Sequence, residues 1–292
     1  MLKAITLFFL FIIHFESFSQ RRKNGSTLSL FAGTVNYQGD LKPNSFTFNH
    51  SNFTAAFVYS KPLNRWLSWK FGATMGHIEG ADRYNRDYLK SRNLSFNTDI
   101  KEIYTGLGIN LLDLATWKFT PYVYGGIAIF HFNPWTFDEN GEKVFLNPLS
   151  TEGQGITQKP YSLTQISIPF GAGVKYALNN CMNIGIEFSQ RKTFTDYLDD
   201  VSSHFIDQNL LLQQRGPVAV RLAFRGDELS TVESYPIEGT IRGTPSEMDW
   251  YYLLGVTYEL KFSCIKDIFG HKGKYHLAYS QIRCPRVNRL GY

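Results

Sequence analysis

The stretch from Ser162 to Arg191 constrains this chain most. Its first arm alternates without a break: Ile166, Ile168, Phe170, Ala172, Val174 and Tyr176 share one face, while Gln165, Ser167, Gly171, Gly173 and Lys175 share the other. Past Asn179 and Asn180 the return arm repeats the pattern, with Ile184, Ile186 and Phe188 opposite Gly185, Glu187, Ser189 and Arg191. Period-two alternation marks a strand with a different environment on each face. Asparagine tolerates the positive φ of tight hairpin turns, so the Asn pair reads as a two-residue tip. The minor face is small or charged, which fits the inside of a small closed barrel, where space is short and charges must pair. A sheet facing bulk water has no reason to restrict the size of that face.

The same alternation recurs along the chain. Leu28, Leu30 and Ala32 mark a first strand, Phe53, Ala55, Phe57 and Tyr59 a second, and Leu67, Trp69, Phe71, Ala73 and Met75 a third. A fourth carries Ile103, Thr105, Leu107, Ile109 and Leu111, and a fifth runs from Phe119 to Phe132. The central hairpin supplies the sixth and seventh, and Trp250 to Phe262 the eighth. Between them the connections alternate. Residues 37–51, 79–93, 133–161 and 192–249 form long loops, and 61–65, 113–118 and 179–180 form short turns. Short turns at one end and long loops at the other are the pattern of bacterial outer-membrane barrels. The expected fold is all-β: an eight-stranded antiparallel transmembrane outer-membrane β-barrel with long extracellular loops, short periplasmic turns and, from the even strand count, both termini in the periplasm. Gly216 to Arg225 alternates inside the longest loop and reads either as extra sheet above the membrane or as a short helix.

Residues 1–19 have the basic start, short apolar run and small-x-small ending of a secretory signal peptide, too short to span a bilayer. Residues 20–262 then form the barrel and 263–292 a periplasmic C-terminal tail. Without the signal the chain has 29 basic and 24 acidic side chains. That mild excess reads as spread along the chain and gives no case for nucleic acid. An aromatic content of 16 % with a mean hydropathy of −0.23 suits an apolar band and aromatic girdles offset by polar loops.

An eight-stranded barrel is filled by side chains, so an open pore is not expected. Glu102, Glu187, Glu259, Lys70, Lys175, Arg191 and Lys261 face inward by parity and form a lumen ion-pair network. For catalysis the residues to inspect are His77, Glu79, Asp82, His131 and Glu152 near the outer rim, but their spacings match no metal or nucleophile motif. They read as loop and interfacial polar residues, and neither enzyme activity nor a cofactor is expected. Three cysteines, Cys181, Cys264 and Cys284, fall on the periplasmic side, leaving one over from a single disulfide. Cys181 begins the seventh strand where Cys264 ends its neighbour, which permits that bridge; Cys264 with Cys284, or three free thiols, are the alternatives.

Several phrases resemble one family. They are Tyr37-Gln-Gly-Asp-Leu41, Phe119 to Gly126, Thr151-Glu-Gly-Gln-Gly155, Tyr161 to Leu178, Asn183 to Phe188, Arg191 to Ser202 and Asp249-Trp-Tyr-Tyr252. Together they resemble the PorG-like outer-membrane barrels of Bacteroidetes, over nearly the whole mature chain; the basic tail after Phe262 is less familiar. The resemblance implies a non-catalytic component of the type IX secretion and gliding machinery, associated with a periplasmic ring of a PorK-like lipoprotein and a PorN-like protein. It also implies that a periplasmic cysteine is joined to the lipoprotein, with Cys284 the first candidate and Cys264 the next. The other readings are a stand-alone barrel whose loops bind a ligand or surface, and a lipid-modifying barrel enzyme.

Overall fold

The computed structural model describes residues 25–42, 50–114, 116–229 and 234–264. Eight long strands carry the architecture: β1 (Thr27–Gln38), β2 (Asn52–Pro62), β3 (Leu67–Ala81), β4 (Ser95–Asn110), β5 (Phe119–His131), β8 (Thr164–Ala177), β9 (Met182–Thr193) and β10 (Trp250–Lys261). A small hairpin of β6 (Trp135–Phe137) and β7 (Lys143–Phe145) lies between β5 and β8. Each long strand pairs antiparallel with its sequence neighbour among the eight, and β10 pairs with β1, so the ring is closed and has no edge. That is the up-and-down barrel expected from the alternation. No helix among the described residues is long and apolar enough to cross a membrane. The chain crosses with strands, whose backbone groups are all paired around the closed ring.

The outer surface explains the pattern. Phe53, Phe57, Phe71, Met75, Ile103, Leu107, Val123, Ile127, Ile129, Ile166 and Ile186 are exposed on it. The stripe from Phe119 to Ile129 runs roughly 33 Å along its strand, or about 25 Å of height at the usual ~40° tilt. Above it the outward positions turn polar: His77 and Glu79 on β3, Asn97, Asp99 and Lys101 on β4, His131 on β5. The third and fourth strands therefore extend past the apolar band, to Ala81 and from Ser95, where the sequence suggested loop.

Two of the short turns are built alike. The side-chain oxygen of Asn179 accepts from the backbone N–H groups of Cys181 (2.8 Å) and Met182 (2.9 Å), and that of Asn64 accepts from Trp66 and Leu67 (both 2.8 Å). The tip is thus not a two-residue turn with positive φ. Residues 178–181 form it, and neither Asn179 nor Asn180 is among the residues with positive φ. Asparagine serves here through its side chain, which replaces the backbone hydrogen bonds that the turn leaves open.

Adjacent backbones crowd closest to each other's glycines at two seams. Gly33 faces Gly255 across β1 and β10, and Gly106 faces Gly126 across β4 and β5. A Cβ on Gly33 would lie 2.2 Å from the Leu254 carbonyl oxygen, and one on Gly106 would lie 2.3 Å from that of Gly125. The two seams are diametrically opposite in the strand order, and at each only glycine allows the adjacent backbones to approach so closely.

At the long-loop end the connections fold into a cap. The 194–249 loop contributes α1 (Gln208–Arg215) and α2 (Pro217–Ala223), joined through Gly216, whose φ of +84° only glycine adopts freely. Asp207 caps α1 by accepting from the Leu210 N–H at 2.8 Å. The segment Gly216–Arg225 is therefore helix and not extra sheet; its buried residues Ala219, Leu222 and Ala223 stand at helical spacing. Leu41, Ile78, Leu94, Phe96, Phe132, Leu146, Leu198, Val201 and Leu222 join the upper barrel residues in one buried apolar cluster.

Candidate functional site

Two polar centres lie inside the molecule, one in the lumen and one in the cap. In the lumen, six of the seven charges that parity places inward form a balanced set, and the seventh, Lys261, stands at the short-turn end. Arg191 and Glu102 pair at 3.2 Å, both fully buried, and the Tyr251 hydroxyl donates to Glu102 at 2.6 Å. Lys175 pairs with Glu259 at 2.5 Å, and Asn183 donates to the second oxygen of Glu259. Glu187 accepts from Tyr122 (2.6 Å) and Tyr124 (2.9 Å), and the Lys70 ammonium sits over both rings, 4.8 and 4.3 Å from their centres. Burying charges is tolerable only when they are paired and hydrogen-bonded. The cavity left among these groups is about 20 Å³, room for about one water molecule. This is the expected ion-pair network, and it fills the barrel; Lys261 is half-buried at the short-turn end.

The cap centre brings together residues that are distant in sequence. The Tyr37 hydroxyl at the end of β1 meets Asp199 at 2.6 Å and Asp249 at 2.9 Å. Asp199 also accepts from the backbone of Leu41 and Val201, and Asp249 from that of Leu198. Asp200 accepts from Thr151 (2.5 Å) and Tyr161 (2.6 Å). Glu152 takes the backbone N–H groups of Ser202 and Ser203, both at 2.9 Å, and pairs with the buried guanidinium of Arg242 at 2.9 Å. Asp82 pairs with Arg92 at 2.6 Å, and Arg92 donates to the Arg242 carbonyl. All four long connections thus meet at one nexus above the barrel mouth. Five of the phrases that carried the resemblance, those around Tyr37, Thr151, Tyr161, Asp199 and Asp249, meet here.

Burial dominates the electrostatics of the nexus. It raises the carboxyls of Asp199 and Asp249 well above the usual range, and the like charges of Asp40 near the first and Asp199 near the second add to it. Asp200 is pushed up to about 6 by burial, which Arg242 partly offsets. Asp196 is pushed up to about 9, by burial and then by Asp199.

The five rim residues inspected for catalysis do not converge. His77 faces outward and pairs with Asp99 at 2.8 Å; Glu79 meets His50 at 3.4 Å; His131 meets Thr164 at 3.1 Å. Asp82 and Glu152 are buried in structural pairs with Arg92 and Arg242 rather than exposed in loops. Among the described residues no cluster of His, Cys, Asp or Glu is placed to hold a metal ion. The nexus carboxylates Asp82, Glu152, Asp199, Asp200 and Asp249 are all buried. The arrangement fastens loops to a barrel. Sequence reasoning missed Arg242 and Arg92 as its cations, since neither lies in a recognisable phrase.

At the short-turn end the structure joins Cys181 to Cys264, with Cα atoms 5.8 Å apart. Of the three alternatives this is the bridge between neighbouring strands. Residues 1–19 and Cys284 lie outside the described residues, as does all of the tail 263–292 beyond Cys264.

The family model described as "Domain of unknown function (DUF6089)" matches residues 4–214. No curated protein matches the chain. Among solved structures the chain is similar to Neisserial surface protein A, at 10 % identity and TM-score 0.42, over 82 % of this chain and 98 % of that one. It is also similar to the attachment invasion locus protein Ail of Yersinia pestis in complex with the heparin analogue sucrose octasulfate (9 % identity, TM-score 0.37, 80 % and 97 % covered). A third is the outer membrane protein OprG from Pseudomonas aeruginosa (10 % identity, TM-score 0.36, 81 % and 97 % covered).

Proposed function

The chain belongs to the DUF6089 family, and from that premise we propose that it is a non-catalytic outer-membrane subunit of the type IX secretion and gliding machinery, holding a periplasmic ring of PorK-like lipoprotein and PorN-like protein at the membrane. The observation that carries this reading is the closure of the barrel. Among the described residues the charge-balanced lumen keeps a cavity of only about 20 Å³ beneath the knitted cap, so the work of the molecule falls to its surfaces. The short-turn end then faces the periplasm together with both termini, and the long-loop cap faces outward or meets other outer-membrane subunits. A disulfide at the short-turn end suits an oxidising compartment.

The charge distribution favours the same end. The positive excess is not spread along the chain: residues 265–292 hold six Lys or Arg and one Asp, while residues 1–264 hold 24 basic and 24 acidic side chains. The whole net charge of +5 therefore belongs to the tail, beside Cys284. With Cys181 and Cys264 joined, Cys284 is the cysteine left for a covalent partner.

The test is electrophoresis of native outer membranes, with and without reductant, on wild type beside Cys284→Ser. The expected result is a heavier band that reductant removes and that the substitution abolishes, with the ring proteins co-purifying. A monomer band in every lane, and no co-purified protein, would overturn the reading.

A further inference from the structure

The two polar centres differ in one respect that bears on regulation. Lys70, Lys175 and Arg191 neutralise Glu102, Glu187 and Glu259 in the lumen. The cap has no such balance. Its buried guanidiniums Arg242 and Arg92 pair with Glu152 and Asp82, and the buried Lys42 donates to Asn36, which leaves the four buried carboxylates of Asp196, Asp199, Asp200 and Asp249 in excess. Asp199, Asp200 and Asp249 at least accept hydrogen bonds from Tyr37, Thr151, Tyr161 and the backbone. Asp196 is 4 % exposed, and among the described residues no donor stands within hydrogen-bond distance of either side-chain oxygen.

The groups around Asp196 are almost all of its own sign. Asp199 faces it from the same loop, Asp249 from the start of β10, Asp40 from the β1–β2 connection and Glu152 from the β5–β8 connection. The Ser202 hydroxyl nearby offsets only part of this, and the two guanidiniums are already engaged. A buried carboxylate with no donor and no free cation is far costlier than a carboxylic acid in the same place.

We propose that Asp196 is a proton-operated latch of the loop cap: the closed cap holds it as the neutral acid, and its ionisation releases residues 194–203 from the barrel rim. In the closed cap its proton is held up to about pH 9, whereas in an opened, solvated loop it leaves near the ordinary carboxylate value of about 4. A group raised in the closed form stabilises that form below the lower value, and the stability is lost as pH rises toward the higher one. Between those limits Asp196 releases one proton per opening, so its share alone weakens the closing equilibrium about tenfold per pH unit. Asp200, raised only to about 6, contributes at the acidic end of the window and is finished above it.

The experiment is amide hydrogen exchange of full-length protein in lipid discs at several values between pH 6.5 and 8.5. Rates in peptides covering 194–203 are corrected for intrinsic exchange and read as the opening equilibrium. Wild-type protection should fall steeply with pH, and Asp196→Asn, which keeps the shape without the charge, should be flatter by about tenfold per unit. Asp138→Asn, at an exposed carboxylate of the β6–β7 hairpin, should keep the wild-type slope. A flat wild-type profile, or equal slopes in wild type and Asp196→Asn, would overturn the proposal. If Asp196→Asn does not fold, Asp196→Ser makes the same comparison, and the wild-type profile alone still decides against a latch if it is flat.

Discussion

The hydroxyl of Tyr37 stands between two buried carboxylates, 2.6 Å from Asp199 and 2.9 Å from Asp249. One hydroxyl proton cannot satisfy both fully. The pair therefore favours a second proton on one of the carboxyls, consistent with the raised proton affinity of each. Removing the hydroxyl by Tyr37→Phe leaves buried acceptors short of a donor at a cost of about 1–3 kcal/mol. Because the loss falls on the joint between rim and loop, exchange should accelerate in residues 195–201 while β4 and β5 keep their protection. Hydrogen exchange by mass spectrometry checks both halves of that expectation.

The lumen pair should behave differently from the cap. Arg191→Met strands Glu102 in a buried position and is expected to cost about 3–5 kcal/mol of barrel stability, the range for a buried charge losing its partner. Adding Glu102→Gln removes the stranded charge, and Tyr251 can still donate to the amide oxygen, so the double variant should recover most of the loss. Urea unfolding in detergent measures each.

Glycine seams give a test by contrast. A Cβ at Gly106 would meet the backbone of Gly125 at 2.3 Å, whereas one at Gly125 would meet nothing closer than 3.9 Å. Gly106→Ala is expected to exceed the usual 1–3 kcal/mol of overpacking, because backbone and not a rotamer has to move. Gly125→Ala should fold like wild type. Yield of folded barrel on refolding, read as the heat-sensitive gel shift, separates them.

Opening the Cys181–Cys264 bridge closes no gap that the strands have not already closed. In Cys181→Ser/Cys264→Ser the β9–β10 ladder persists, so the barrel should still form with at most about 4.6 kcal/mol lost by the chain-entropy relation for a separation of 83 residues. The change should appear as faster exchange at 178–183 and 260–264 only.

The strands were legible because lipid on one side and a crowded polar lumen on the other write a two-residue period into every crossing. Above the membrane that contrast ends. His77 and Glu79 continue β3, and Asp99 and Asn97 continue β4, with polar groups outward, so nothing in the pattern distinguishes their upper strands from loop. Val218, Val220 and Leu222 mimic a strand over a run too short to choose, and the helix shows only in what it buries, Ala219, Leu222 and Ala223. The nexus was visible as phrases but not as a structure, because Tyr37 finds its acceptors 162 and 212 positions away. Asn179 was placed correctly in a turn for the wrong reason, its side chain and not its backbone making the turn.

β10 is paired along its length on both sides, from Thr27 to Gln38 of β1 and from Met182 to Lys192 of β9. It is therefore the keystone of the ring. A polypeptide lacking it presents two bare rows of amides and carbonyls that hydrocarbon cannot solvate, and seven strands have no way to seal themselves. Insertion is then effectively all-or-none with respect to chain completeness. A truncated copy stalls at the membrane as an open sheet that other edges can capture, and only a copy that has reached β10 brings Cys264 to Cys181. Closure of the ring and formation of its disulfide become a single event.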